Sequence, residues 1–141
     1  MPRADFYLIT QQRFTDDPLL LACLLAKRCF GTGKATSILV RDMHQAELLD
    51  GRLWDFEDDA YIPHQIAGMD EDDEDTPVLI VSPDTDIPDR PYIINLRDAA
   101  FRGTCERVLE IVPADPEARE PQRQRWREYQ ARGFDMHMHE V

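Results

Sequence analysis

Short apolar runs recur along the chain, and the segments between them are long enough to hold helices. The clearest runs are Phe6–Ile9, Ala35–Val40 and Val78–Val81, each dominated by aliphatic or aromatic residues. Continuous apolar runs of this length are typical of strands buried on both faces of a parallel sheet. Parallel strands need a crossover connection, which is usually a helix. The pattern therefore predicts an α/β fold with a mostly parallel sheet flanked by helices.

Helix signals lie between these runs. Asp-Asp-Pro at 16–18 precedes an apolar segment that predicts a helix over 19–30, and Gly31 is suited to end it. Asp42 is suited to cap a second helix from Met43 to about Leu53. The later predicted elements are the strands Tyr92–Leu96, Val108–Val112 and Phe134–His139 and the helix Glu117–Arg132. Roughly six strands and four helices follow, in a single domain spanning residues 1–141.

The charge balance restricts the partners of the chain. With 28 acidic and 16 basic residues, the formal net charge is −12. Such a surface repels phosphate backbones, so we expect no direct, affinity-dominating contact with DNA or RNA except where basic residues cluster. The acidic run Asp70–Asp75 lacks the glycine and spacing of a calcium loop and predicts a mobile, solvated loop.

No signal peptide is evident and the longest apolar run, Leu19–Ala26, is too short to span a membrane, so we expect a cytoplasmic protein.

Several segments resemble catalytic or metal sites without meeting their requirements. Gly31–Thr36 has a Gly-Lys pair, but the phosphate-binding loop needs a strand before it and a helix after it, and here the predicted order is reversed. His137 and His139 share one side of a predicted strand, and His64 lies elsewhere, but no metal-binding spacing accompanies them. No serine lies in a nucleophile-elbow pattern. We therefore expect no enzyme activity, no metal and no cofactor.

Basic residues are concentrated in the segment 117–132, which reads EAREPQRQRWREYQAR. Five arginines minus three glutamates give this segment a local charge of +2 in a chain of −12. On a helix with about 100° per residue, Arg119, Arg123 and Trp126 share one face and Arg127 flanks it. Arginine can hold carboxylates with two parallel hydrogen bonds, and an indole can pack on another ring. This face is suited to bind a short acidic peptide with an aromatic end.

Two features of this segment leave alternatives open. Tyr129 falls with Arg125 on another side of the helix. The segment is also compatible with a surface helix whose arginines are solvated and whose Trp126 faces the core. Pro121 removes a backbone N–H, so the helix begins either well before this proline or close to it, and the second case changes the placement of Arg119.

Seven segments together resemble a known family. In chain order they are FYLI at 6–9, LLDGRLWDF at 48–56, YIPHQIAG at 61–68, PVLIV at 77–81, INL at 94–96, RVLEIV at 107–112 and RQRWREYQARGF at 123–134. Their order and spacing over nearly the whole chain resemble the chi subunits of bacterial DNA polymerase III, which belong to the clamp-loader assembly. Pro121 and the acidic run at 70–75 depart from the pattern of this family.

The resemblance implies a Rossmann-like three-layer α/β domain that is not an enzyme. It implies two partners, the psi subunit and the acidic C-terminal tail of single-stranded-DNA-binding protein, so that DNA is reached only indirectly and no membrane is involved. Carried over by position, the tail site comprises Val112, Arg119, Arg123, Trp126, Arg127 and Tyr129. The psi-binding surface comprises Trp54, Tyr61, Ile62, Pro63 and His64. The rival hypotheses are a nucleotide-binding protein or enzyme built on the α/β sheet, and a direct single-stranded nucleic-acid binder.

Overall fold

A single sheet of seven parallel strands forms the centre of the molecule, in a computed structural model that describes all residues from Met1 to Val141. The strands are β1 Arg3–Leu8, β2 Thr36–Leu39, β3 His64–Ile66, β4 Val78–Val81, β5 Tyr92–Asn95, β6 Arg107–Val112 and β7 Asp135–Glu140. Their order across the sheet is β3-β4-β2-β5-β6-β1-β7, and every neighbouring pair is parallel.

Four α-helices accompany the sheet: α1 Gln12–Asp16, α2 Pro18–Gly31, α3 Met43–Asp55 and α4 Arg119–Ala131. Short 3₁₀ turns precede β4 at Asp73–Asp75 and precede α4 at Pro116–Ala118. The α/β fold is confirmed, and the sheet is wholly rather than mostly parallel.

In the acidic run at 70–75, Asp73 is held in place because its carboxylate accepts from Gln65 Nε2 at 2.6 Å and from the Gly68 N–H at 2.9 Å.

The strand β3 was not predicted. The sequence indicated an irregular segment around Pro63 and His64, whereas residues 64–66 pair with β4 at one edge of the sheet. Three residues are too few to show a strand periodicity, and the proline directly before them is a signal for irregular structure. The missed strand adds a seventh member to the sheet and places His64 beside the end of α3.

Helices α2 and α3 cover the first face of the sheet. Leu21, Ala22, Leu25, Ala26 and Cys29 of α2 are buried at helical spacing, and they join Leu49 and Leu53 of α3 in one core cluster. Asp42 caps α3 as predicted, because its carboxylate accepts from the Gln45 N–H at 2.7 Å. Such a cap is worth about 1 kcal/mol.

Helix α4 lies across the second face, where a buried polar group joins it to the sheet. We call this group the anchor network; its members are Asn95 of β5, Glu110 of β6, and Arg125 and Tyr129 of α4. The Tyr129 hydroxyl and Asn95 Nδ2 donate to Glu110 Oε2 at 2.6 and 2.8 Å. Arg125 Nε lies 2.8 Å from Glu110 Oε1 as an ion pair, with its N–H not aligned for a hydrogen bond. Burial raises the pKa of Glu110 to about 7, and Arg125 opposes this effect. The network fixes which side of α4 faces the sheet.

Candidate protein-interaction surfaces

A surface groove of about 300 Å³ lies at the carboxyl ends of β1 and β6. We call it the arginine groove. Its floor is apolar and includes Leu8, Ile9 and Val112, while Arg119 and Arg123 of α4 line its side. The remaining lining residues are Thr10, Pro113, Ala114 and Gln122. The groove therefore combines an apolar floor with two guanidinium groups.

The start of α4 determines where these arginines lie. The 3₁₀ turn Pro116–Ala118 leads directly into the helix, which begins at Arg119. Pro121 is the third helical residue, a position whose backbone N–H has no partner within a helix, so the proline is tolerated without a kink. Arg119 and Arg123 are one turn apart and project from the same side of the helix start. The doubt that Pro121 raised about Arg119 is thus resolved in favour of an ordered first turn.

The two arginines of the groove are available to a ligand. Arg119 is exposed and has no ion-pair partner in the structure. The side chain of Arg123 is 60 % exposed, and its contact to Glu120 is long at 3.9 Å. Both lie in the first turns of α4, where the helix dipole favours an anion. An anionic group that binds here meets two free cations without breaking an existing strong pair.

The remaining residues of the predicted tail site lie in different environments. Trp126 is half-buried and packs on Phe6, with ring centroids 5.1 Å apart. Arg127 is exposed, and neither residue lines the groove. Tyr129 is 0 % exposed and its oxygen also accepts from the Phe101 N–H at 2.7 Å. The structure thus brings Val112, Arg119 and Arg123 together, places Trp126 beside them in the packing under α4, and leaves Tyr129 in the core.

Sequence reasoning missed the pairing of Arg125 with Glu110. Arg125 was counted as part of the basic segment, yet its side chain is buried against a fully buried carboxylate. A signal was present in the sequence, because Glu110 interrupts the otherwise apolar strand RVLEIV. A carboxylate in a two-sided buried strand requires a cationic or hydrogen-bonding partner.

A second surface lies where α3 ends beside β3. Trp54 is 56 % exposed and Tyr61 is 69 % exposed, with ring centroids 6.2 Å apart. The buried ring of His64 lies beneath Trp54 at 4.6 Å, and its Nδ1 lies 2.7 Å from the Ile62 carbonyl oxygen. We call Trp54, Tyr61 and His64 the aromatic patch. The Trp54 ring is tilted by 52° against the buried histidine and by 49° against Tyr61, so the two exposed rings form a preorganised apolar surface.

Two other residues of the predicted psi surface differ in exposure. Ile62 is 2 % exposed and belongs to the core of the first face, whereas Pro63 is half-buried. Ile62 therefore supports the patch from below and cannot contact a partner with its side chain.

The histidines near the end of the chain are engaged with acids. His137 Nε2 lies 2.9 Å from Asp135 Oδ2, and His139 Nε2 lies 2.7 Å from Asp5 Oδ1.

Helix α2 ends at Gly31 and β2 begins at Thr36, which confirms the helix-before-strand order at the Gly-Lys pair. None of the helices has the length and apolar character that crossing a membrane requires.

Comparison with known proteins gives consistent results. The family described as DNA polymerase III chi subunit, HolC matches residues 1–137. A Pseudomonas aeruginosa protein named DNA polymerase III subunit chi is 34 % identical over 146 residues, covering 100 % of this chain and 98 % of that protein. The Escherichia coli protein of the same name is 29 % identical, with 96 % of both chains covered.

Likeness to solved structures concerns the fold alone. The C-terminal domain of the DEAD-box protein Dbp5 superimposes with a TM-score of 0.59 at 14 % identity, covering 99 % of this chain and 90 % of that one. A S. cerevisiae Dbp5 complex that contains Nup159 gives a TM-score of 0.63 at 13 % identity, covering 97 % of this chain and 41 % of that one. These neighbours support the open parallel α/β architecture.

Proposed function

Since the chain belongs to the DNA polymerase III chi subunit family, we propose that it is a non-catalytic subunit that links the polymerase assembly to single-stranded-DNA-binding protein. The proposed ligand is the acidic C-terminal tail of that protein, which ends in an aromatic residue. The arginine groove carries this proposal, because it presents two available guanidinium groups above an apolar floor in a chain of net charge −12.

In the proposed complex, Arg119 and Arg123 bind carboxylates of the tail while the terminal ring packs on Val112 and the apolar floor around it. Trp126 supports the start of the groove from under α4 through its packing on Phe6, and Arg127 adds positive charge nearby. Tyr129 acts from the core by holding α4 in position. A short peptide in one shallow groove is expected to bind with micromolar strength, about −8 kcal/mol.

The local charge explains how an acidic protein can bind an acidic tail. The groove lies beside the start of the segment 117–132, whose local charge is +2, so attraction dominates at short range although the whole chain repels the tail. Exposed charges are screened over about 10 Å at 0.1 M salt, so added salt weakens binding. Contact with DNA is then indirect, through the protein that carries the tail.

Removal of the final aromatic residue from the tail tests the proposal. We expect a labelled tail peptide to bind with micromolar affinity, and the peptide that lacks this residue to lose at least about 2 kcal/mol, because the apolar floor is left without a ring. Fluorescence anisotropy measures both. Labelled single-stranded DNA alone serves as the control and should not bind at physiological salt. Full-strength binding of the shortened peptide, or tight binding of the DNA, would contradict the proposal.

We further propose that the aromatic patch binds the psi subunit. Exposed aromatic residues in a fixed geometry are typical anchors of protein interfaces. Trp54 and Tyr61 meet this description, while Pro63 and the buried Ile62 and His64 set the shape beneath them.

Trp54→Ala is expected to weaken psi binding by about 2 kcal/mol, roughly 30-fold, as for a central interface aromatic. The fold should remain intact, because more than half of the side chain is exposed. Isothermal titration with the psi subunit of the same organism measures the change. Met138→Ala at the opposite edge of the sheet removes a side chain of similar exposure and should leave affinity unchanged. Equal affinities for both variants would exclude the patch as the psi surface.

A further inference from the structure

Gly51 is a glycine inside helix α3 that the fold of the chain does not require. It is exposed, and its φ is not positive, so the backbone there suits any residue. A Cβ added at this position would meet no atom within 4 Å. Glycine inside an exposed helix disfavours the folded state relative to alanine, because it loses more backbone entropy on folding. The free chain would therefore be more stable with alanine at this position.

The surroundings of Gly51 form a notch on the outer side of α3. The opposite side of the helix carries its three buried residues, Ala46, Leu49 and Leu53. At about 100° per residue, Gly51 faces directly away from these, and Leu48 and Trp54 lie on either side of it. Leu48 is 50 % exposed and Trp54 is 56 % exposed. We call Leu48, Gly51 and Trp54 the α3 notch, in which the helix backbone lies open between two large apolar side chains.

The α3 notch is continuous with the aromatic patch, because Trp54 belongs to both. The large hydrophobic residues that the chain exposes number seven, and four of them lie on α3 or against Trp54: Met43, Leu48, Trp54 and Tyr61. Contiguous exposed apolar residues of this kind mark protein-interaction surfaces. A partner that covers the aromatic patch can thus extend along α3 over Gly51.

The open charges on the outer side of α3 are acidic. Glu47 and Asp55 are exposed and take part in no ion pair. The arginine of this helix, Arg52, already pairs with Asp17 at 2.7 Å. A partner segment with basic residues therefore matches the border of the α3 notch.

We propose that an amphipathic helix of the partner on the aromatic patch crosses α3 at Gly51. The absent side chain allows the two helix backbones to approach closely, while apolar residues of the partner pack between Leu48 and Trp54. Basic residues beside its apolar stripe face Glu47 and Asp55. A helix suits the notch because it presents a narrow apolar stripe with polar flanks. This contact rests on the proposed binding of psi at the aromatic patch, and it specifies how the partner lies there.

Filling the α3 notch tests this contact, with the psi subunit of the same organism as the probe. Gly51→Leu should weaken psi binding at least about tenfold in isothermal titration, because the new side chain holds the partner helix away. Its melting temperature should not fall, because leucine favours helices and the position is open. Gly51→Ala should raise the melting temperature of the free protein by about 3 °C and weaken binding about threefold. Leu48→Ala should weaken binding about fivefold.

Gln124→Leu is the matched control, since it places the same side chain at an exposed position of α4, on the other face of the sheet, and should leave affinity unchanged. Unchanged or tighter binding of Gly51→Leu would overturn the contact at Gly51, and so would an equal loss in Gln124→Leu. A lower melting temperature of Gly51→Ala would show that glycine serves the fold of the chain itself, which also overturns it.

The Trp54→Ala titration separates this contact from the aromatic patch. If Trp54→Ala weakens psi binding and Gly51→Leu does not, the patch binds psi and the helix crossing at Gly51 is wrong. If neither variant weakens binding, or if the wild type does not bind psi, both the patch and the crossing are wrong.

Discussion

Replacement of Arg125 by alanine is expected to lower the free energy of unfolding by about 3–5 kcal/mol, the range for breaking a buried ion pair by removal of one partner. The side chain of Arg125 is 4 % exposed and that of Glu110 is 0 % exposed. Arg125 Nη1 also donates to the Asp98 carbonyl at 3.0 Å. Without Arg125 the buried carboxylate keeps only Tyr129 and Asn95. Urea unfolding monitored by circular dichroism measures the change.

The loss of stability in Arg125→Ala should increase with pH. Burial raises the folded-state pKa of Glu110 to about 7, above its ordinary value. Folding therefore favours the protonated form, and the contribution of Glu110 to stability falls as the pH rises towards this pKa. Removal of Arg125 raises the pKa further, because Arg125 holds it down. The stability difference between wild type and Arg125→Ala should thus increase as the pH is raised from 6 to 8.

Arg123→Ala is the matched control for this variant, since it removes an arginine of the same helix that is exposed. It should change the free energy of unfolding by less than about 0.5 kcal/mol, as is usual for surface substitutions. Equal stability losses in the two variants would show that the anchor network does not hold α4 to the sheet.

Arg123→Ala should leave the stability almost unchanged but lower the affinity for the tail peptide. Arg123→Ala is expected to weaken binding by about 2 kcal/mol, roughly 30-fold, because a hydrogen-bonded charge pair with a carboxylate is lost. Arg123 lines the arginine groove and has only one long contact to Glu120, so its removal leaves no protein group unpaired. Anisotropy titration with the labelled tail peptide measures the effect.

Arg102→Ala makes the same charge change at a residue outside the groove, which is exposed and paired with Glu128. It should alter tail affinity by less than about 0.5 kcal/mol at physiological salt. If Arg102→Ala weakens binding as much as Arg123→Ala, the attraction comes from overall charge and the groove is not a specific site.

The fold was predictable where sequence patterns are local and long enough. Runs such as Val78–Val81 are buried on both faces and read as strands without knowledge of their neighbours. The strand His64–Ile66 could not be found this way, since its assignment depends on pairing with β4, a contact between residues distant in sequence. The order of the strands across the sheet also lies outside what a linear pattern contains.

The candidate site was predictable only in part, because helical spacing shows which residues share a side of α4 but not which side is buried. Helical spacing placed Arg119 and Arg123 on one side of α4 and Arg125 with Tyr129 on another, and the structure agrees. Spacing alone could not tell that the side with Arg125 is buried, because arginine is usually exposed. Only the partner on β6, Glu110, reveals this. Val112 entered the site through family resemblance, and its position on the groove floor depends on how β6 ends beside β1.

The positions of the two surfaces on the sheet have a consequence for assembly. The aromatic patch lies beside β3 at one edge, whereas the arginine groove lies on β6 and β1, four and five strands away. With about 4.8 Å between neighbouring strands, this separation is roughly 20–25 Å. A sheet of this width acts as a rigid spacer, so we expect the two proposed partners to bind at the same time without steric competition.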